Sequence, residues 1–243
     1  MNKKPTIQAH VFALCVPVAP TDSKSFHTQI ARARSAHPDF IEWRRDAWPA
    51  ITPSEQADCL AVFQADGLIF THRAEAEGGA HPAPLDARLK AIGAAVQSGA
   101  CAYIDLEAAT PPDVLADVRM ALRHRRTGLI LSYHDFHATP ASNDLRQKLA
   151  QMAEQEPDVI KIAVTARSPK DVARAAGVVA AFSETTAQPV IFVMMGAAGT
   201  IVRVAPECFG GSLTFAALSA AETTAPGQLS PAALMALRHQ LQL

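Results

Sequence analysis

Cysteine is scarce in this chain. The four residues present (Cys15, Cys59, Cys101 and Cys208) have neither metal-ligand spacing nor the pattern of a disulfide framework, so they read as reduced core or strand positions in a cytoplasmic protein. Aromatic residues make up only 6% of the sequence, which argues against a platform for stacking nucleobases. Neither sign of charge dominates: the formal net charge is -1, with no basic field for nucleic acid and no acidic tail. Apolar runs break off well short of membrane-spanning length. The opening Met1-Asn-Lys-Lys-Pro-Thr-Ile-Gln8 lacks the apolar segment and small-residue cleavage site of a secretion signal. There is no Gly-x-Gly-x-x-Gly turn, which removes the usual mark of a dinucleotide-binding sheet. The expected partner is therefore a small molecule, with no nucleic acid and no membrane.

What is present is a regular alternation. Hydrophobic residues are 49% and charged residues 19% of 243, a composition that buries a core and leaves little room for disorder. Apolar strands are expected at residues 11–17, 40–46, 67–73, 101–107, 128–134, 159–164, 189–195 and 209–215. Helical stretches are expected at about 21–34, 53–64, 84–97, 111–125, 142–154, 168–182 and 231–240, with a short one after Gly196–Gly199. Eight strand–helix units of about 30 residues are the pattern of parallel βαβ repeats. That number, without a nucleotide-type glycine turn, predicts one closed (β/α)8 barrel over residues 1–243, with 1–9 as a polar lead-in.

The informative stretches are Gly128-Leu-Ile-Leu-Ser-Tyr-His134 and Asp158-Val-Ile-Lys161-Ile-Ala-Val164. Strand alternation puts Val159, Lys161 and Ala163 on one face, and Ile160, Ile162 and Val164 on the other. An ammonium among apolar neighbours is costly to desolvate, which would lower its pKa and leave a nucleophilic amine suited to Schiff-base chemistry. A lysine that snorkels from an edge strand is the commoner reading of such a residue alone. His134, at the end of the preceding strand, favours the chemical one.

Other charges also fall near strand ends, where barrel enzymes carry their catalytic groups. Glu42 and Arg44 share a face of the second strand. Arg73 ends the third and Glu77 follows it. Asp105 and Glu107 end the fourth, and Arg203 follows the seventh. As a set these supply arginines for a carboxylate, a lysine for a carbonyl, a histidine to move protons and a glutamate to orient it. Read singly, Glu42 and Arg44 are a pair of buried charges, Arg73 and Glu77 an exposed loop pair of little weight, and His134 a core histidine. Gly196–Gly199 is a weak match to a phosphate cradle. His72, His81 and His137 lie near the same rim without metal-ligand spacing.

Assembled, these residues resemble the type I 3-dehydroquinate dehydratases, the Schiff-base class of the shikimate pathway. The matching pieces run in family order: Glu42-Trp-Arg44, Phe70-Thr-His-Arg73 with Glu77-Gly-Gly, Tyr103-Ile-Asp-Leu-Glu107 and Ser132-Tyr-His134-Asp-Phe-His-Ala-Thr-Pro140. They continue through Ile160-Lys161-Ile-Ala-Val, Met195-Gly-Ala-Ala-Gly199, Arg203, Thr214-Phe215 and Ala225-Pro-Gly-Gln228. The resemblance implies that Lys161 forms an imine with the ring ketone of 3-dehydroquinate. It makes His134 the general acid and base, oriented by Glu77, and Arg203 the clamp on the substrate carboxylate. Glu42, Arg44, Arg73, Thr224 and Gln228 would complete the binding site, the last two from a lid. It implies no metal and no organic cofactor, a lyase of aromatic amino acid biosynthesis, and a homodimer. The chain departs from the family's usual serine at Val202, Thr224 and Gly211, of which only Thr224 keeps the hydroxyl. Two other readings stay open at this point: a Schiff-base aldolase-type barrel acting on a sugar phosphate, and a non-catalytic barrel that binds sugar acids.

Overall fold

A computed structural model describes residues 5–63 and 67–243. Residues 1–4 of the expected lead-in, and Gln64 at the expected end of the second helix, lie outside the described residues. Eight parallel strands alternate with eight helices: β1 (Ala13–Val18), α1 (Ser23–Ser35), β2 (Phe40–Arg44), α2 (Pro53–Ala61), β3 (Leu68–Thr71), α3 (Leu85–Ser98), β4 (Cys101–Glu107) and α4 (Pro112–Leu122). The second half adds β5 (Gly128–Asp135), α5 (Ser142–Glu154), β6 (Val159–Thr165), α6 (Pro169–Ser183), β7 (Val190–Met195), α7 (Thr200–Val204), β8 (Leu213–Phe215) and α8 (Pro231–Gln240). The hydrogen-bonded order runs β7-β6-β5-β4-β3-β2-β1-β8. Side chains of β7 and β8 (Ile191, Val193, Leu213, Phe215) join one interior cluster across the remaining seam. This is the expected (β/α)8 barrel.

Local chemistry sets the helix starts. Asp22 closes a capping box with Ser25 ahead of α1, Thr52 does so with Glu55 ahead of α2, and Ser168 and Ser230 cap α6 and α8 with proline following. Alternation then divides the hydrophobic residues. Ile160, Ile162 and Val164 belong to the layer between strands and helices, while Val159 and Ala163 face the barrel interior. The face assignment made for Lys161 follows from that alternation.

Several boundaries differ from the sequence reading. Residues 209–212 are not strand. A 3-10 turn over Pro206–Phe209 precedes β8 and ends at Gly210, whose φ of 80° places it in the left-handed region. A Cβ there would lie 2.4 Å from Ser183 Oγ, so the turn needs glycine for both backbone and space. β2 stops at Arg44 because Arg45–Ala47 turns in 3-10 fashion and brings the Asp46 carboxylate back onto Arg44. α4 ends at Leu122 rather than near residue 125.

The barrel interior is stratified. A floor of Phe40, Ile69, Tyr103, Ile130, Val159, Ile191 and Leu213 is apolar. One step further along the strands, β2 to β6 present Glu42, Thr71, Asp105, Ser132 and Lys161, all buried. The polar layer rests on that floor.

Candidate active site

Glu42, Arg44, Arg73, Glu77, His134, Lys161, Arg203, Thr224 and Gln228 all line one cleft, with Phe136, Ala163, Val193, Met195, Phe215 and Ala225 as its apolar walls. Residues separated by nearly the whole chain meet there because every strand opens towards the same end.

Lys161 reaches the cleft from the middle of β6 and is 5% exposed. Its Nζ lies 2.9 Å from Asp105 Oδ2 and 3.5 Å from Glu42 Oε1, and 4.7 Å from the centroid of the Phe215 ring. This corrects the sequence reading of its surroundings. The valine and isoleucines beside it in sequence point mostly to the outer layer, and the amine is met by two carboxylates and one ring from other strands. Asp105 is held in turn by Arg73 Nη2 at 2.8 Å and by the Ser132 hydroxyl at 2.6 Å. Burial by itself would raise the Asp105 carboxyl, but Arg73 and Lys161 hold it well below the usual carboxylate range. Glu42 Oε1 accepts from the Thr71 hydroxyl at 2.8 Å.

Arg73 is spent on this network. Its Nη1 donates to Ser132 Oγ at 2.7 Å and to Glu107 Oε1 at 3.1 Å. Arg88, from α3, donates to Glu107 Oε2 at 2.6 Å. Glu42, Asp105 and Glu107 are thus balanced by Lys161, Arg73 and Arg88. Asp105 and Glu107 stand in the sequence at the end of the fourth strand, and Ser132 opens the motif that contains His134. Arg88 carried no such sign.

His134 stands one step along β5 from Ser132, which is itself paired with Lys161. Glu77 Oε2 accepts the His134 backbone N–H at 3.0 Å and lies 2.9 Å from Nδ1. Burial, then the cations Arg73 and Lys161, push His134 well below the usual imidazole value. Burial likewise pushes Glu77 up to about 7, with Glu107 and Asp105 adding to the rise against Arg73. With Glu77 ionised, Nδ1–H donates to it and the Nε2 lone pair is left as a base. Gly78, next to Glu77, has φ 85° and a would-be Cβ 2.4 Å from the Phe136 ring, so this turn needs glycine.

Arg203 is 2% exposed. Its Nε donates to Met194 O at 3.1 Å and its Nη2 to Pro226 O at 2.8 Å, while Nη1 has no partner. Burial lowers it to about 10, and it remains a cation at neutral pH. A buried guanidinium nitrogen without an acceptor, in a cleft wall, is complementary to an anion.

The segment carrying Thr224 and Gln228 folds over this arginine. Gln228 Nε2 donates to Thr224 Oγ1 at 3.1 Å and its Oε1 accepts the Thr224 N–H at 2.9 Å. Gly227, φ 83°, packs against the Gly196 backbone, 3.1 Å from a would-be Cβ. The Gly196 N–H itself points to Pro226 O at 3.4 Å. The Gly196–Gly199 stretch therefore seats the 224–228 segment, and its leading amide is committed to protein rather than to a phosphate.

Of the departures noted in sequence, Thr224 lines the cleft, while Val202 and Gly211 do not. Val202 is fully buried in the outer layer, and a Cβ built on Gly211 would lie 3.1 Å from Pro206, so a serine there needs Pro206 to give by a few tenths of an ångström. His72 is also buried in the outer layer, pushed down to about 4 by burial, and His81 and His137 are exposed. Among the described residues no group of three or more His, Cys, Asp or Glu side chains is placed to hold a metal ion, and no helix is long and apolar enough to cross a membrane.

Comparison with known proteins gives one answer. The type I 3-dehydroquinase family model matches residues 14–243. A 3-dehydroquinate dehydratase of Salmonella agona is 36% identical over 226 residues, 88% of this chain and 85% of the relative. The crystal structure of 3-dehydroquinate dehydratase from Geobacillus kaustophilus superposes with a TM-score of 0.87 at 29% identity, covering 100% of this chain and 98% of that one. A type I enzyme from Clostridium difficile, solved with covalently modified comenic acid, gives 0.90 at 28% identity, covering 98% and 95%.

Proposed function

This chain belongs to the type I 3-dehydroquinase family, and we propose that it dehydrates 3-dehydroquinate, as a lyase of that family, through a Schiff base on Lys161 with His134 as proton carrier. One observation carries the reading. An amine and an imidazole on neighbouring strands line the same cleft as a buried guanidinium nitrogen that has no partner. A ketone, a labile C–H and a carboxylate on one small ring would engage the three.

The Lys161 amine, once deprotonated, adds to the ring ketone. Loss of water from the carbinolamine gives an iminium, which acidifies the adjacent C–H. His134 Nε2 takes that proton, and the resulting enamine expels the β-hydroxyl, to which the imidazolium returns the proton so that it leaves as water. A second water then hydrolyses the conjugated iminium, freeing the product ketone and the amine. The lysine supplies the electron sink for which other enzymes use an organic cofactor. Arg203, Arg44, Glu42, Thr224 and Gln228 would hold the carboxylate and hydroxyls. Arg73, whose donors go to Asp105, Glu107 and Ser132, contributes by balancing charge beneath the substrate. Covalent modification of the compound in the Clostridium difficile structure supports a covalent step. The homodimer, the cytoplasmic setting and the single-domain division belong to the same proposal. The Gly196 amide, committed to Pro226 O, is not free to cradle a sugar phosphate, which favours a carboxylate as the anion that Arg203 meets.

The direct test is reduction with borohydride in the presence of 3-dehydroquinate, followed by peptide mass mapping. The expected result is one added mass, on the peptide containing Lys161, in enzyme that produces the enone absorbance. Active enzyme without that adduct would overturn the mechanism.

A pH profile tests the Glu77–His134 pair. Below pH about 7, Glu77 gains a proton, which it can donate to Nδ1, so that Nε2 carries the ring hydrogen and cannot act as a base. Therefore kcat/KM should rise with pH through about 7. Glu77→Gln should lower the plateau and flatten that limb. An unchanged limb in the variant would assign the titration elsewhere.

A further inference from the structure

Asp46 does not line the cleft, yet its carboxylate is among the most heavily used groups beside it. It sits in the turn after β2, 1% exposed. Oδ1 accepts Arg44 Nε at 2.9 Å and the Arg73 backbone N–H at 3.2 Å. Oδ2 accepts Arg44 Nη2 at 2.7 Å and the Ala80 backbone N–H at 2.9 Å. Arg44 Nη2 also donates to Gly78 O at 2.8 Å. The segment from Arg73 to Ala80 contains Glu77, so one carboxylate pins both ends of the loop that carries the glutamate against His134. Glu107, through the Ala74 N–H at 2.8 Å, adds a third tie at the loop's start.

We propose that Asp46 is a positioning residue for the dehydration: it sets where Glu77 meets His134, and so which imidazole nitrogen faces the substrate, while fixing Arg44 at the cleft wall. A hydrogen-bonded turn of its own cannot do this. The bonds inside the segment (Glu77 N–H and Gly79 N–H to Ala74 O, Gly78 N–H to Glu75 O) shape the loop but do not attach it to the barrel. Four donors converging on one carboxylate do. The inference rests on the acid–base reading of His134 given above. Wild-type turnover of 3-dehydroquinate, measured first, tests that reading separately.

Asp46→Asn keeps the shape but turns one end of the group into a donor, which then faces two other donors whichever way the amide lies. Released at one end, the loop misplaces Glu77. The expected result is a fall in kcat of about 10–100-fold, the scale on which small misplacements act, with a separate rise in KM from the loosened Arg44. The decisive measurement is the same substitution in a Glu77→Gln background. If Asp46 acts through Glu77, the further loss in kcat there is under about 3-fold, because coupled residues do not add. Losses that multiply, or a wild-type kcat in Asp46→Asn, would overturn the proposal. Should Asp46→Asn fail to fold, Ala80→Pro removes a single donor from an exposed loop position and leaves the carboxylate intact. It should lower kcat in the wild-type background and not in Glu77→Gln; equal effects in both would overturn the proposal as well.

Discussion

Lys161→Ala lowers kcat by about 10⁴-fold or more, on the scale seen when an enzyme loses its nucleophile, and the borohydride adduct disappears. The loss is chemical rather than a failure to bind. Arg203, Arg44 and Gln228 reach the cleft from other elements, so a carboxylate-bearing ring should still bind and shift the melting temperature. The substitution also disturbs a charge balance. The ammonium sits between Asp105 and Glu42, and without it Asp105 keeps Arg73 and Ser132. Glu42 is left with the Thr71 hydroxyl. Breaking a buried pair in this way costs about 3–5 kcal/mol, so the variant should melt earlier than wild type while remaining a folded barrel by circular dichroism. Lys161→Met, which fills the space, should be as inactive. Near-normal kcat in either variant would remove Lys161 from the mechanism.

His134→Ala should reduce kcat by about 10²–10⁴-fold, the range for a positioned general acid–base, with a different signature. The amine is intact in this variant, so the imine still forms, more slowly, and then waits for a base that is missing. Incubation with substrate should therefore build up a species heavier by substrate minus water, visible by mass spectrometry and fixed by borohydride. Lys161→Ala should show no such species under the same conditions. If His134→Ala turned over normally, the proton transfers would belong to another group, and an adduct that persisted in Lys161→Ala would move the imine to another amine.

The buried Asp46 and Arg88 show what a linear reading does not reach. Asp46 is two residues beyond Arg44 in a stretch that reads as continuous strand. Only the 3-10 turn at Arg45–Ala47 returns its carboxylate to that arginine and across to the β3–α3 connection. Arg88 lies on the third helix, and nothing in the helical pattern marks it as the counter-ion of Glu107. The resemblance made Arg73 a substrate ligand. Its three side-chain contacts to Asp105, Glu107 and Ser132 are visible only when the ends of β3, β4 and β5 are laid side by side.

The sequence alone determined the order of eight strand–helix units, the inward face of Lys161, and the set of polar residues at one end of the barrel. It could do so because strand alternation and capping are local: each is decided by residues within a few positions of one another. What only the tertiary structure decided is the electrostatic setting of each group. The amine that looked apolar from its sequence neighbours is paired with Asp105, 56 residues away, and of the three cleft arginines only Arg203 keeps a buried nitrogen without a partner. Charge interactions depend on distance in space, and barrel closure brings distant strand ends together in a way that no local pattern encodes.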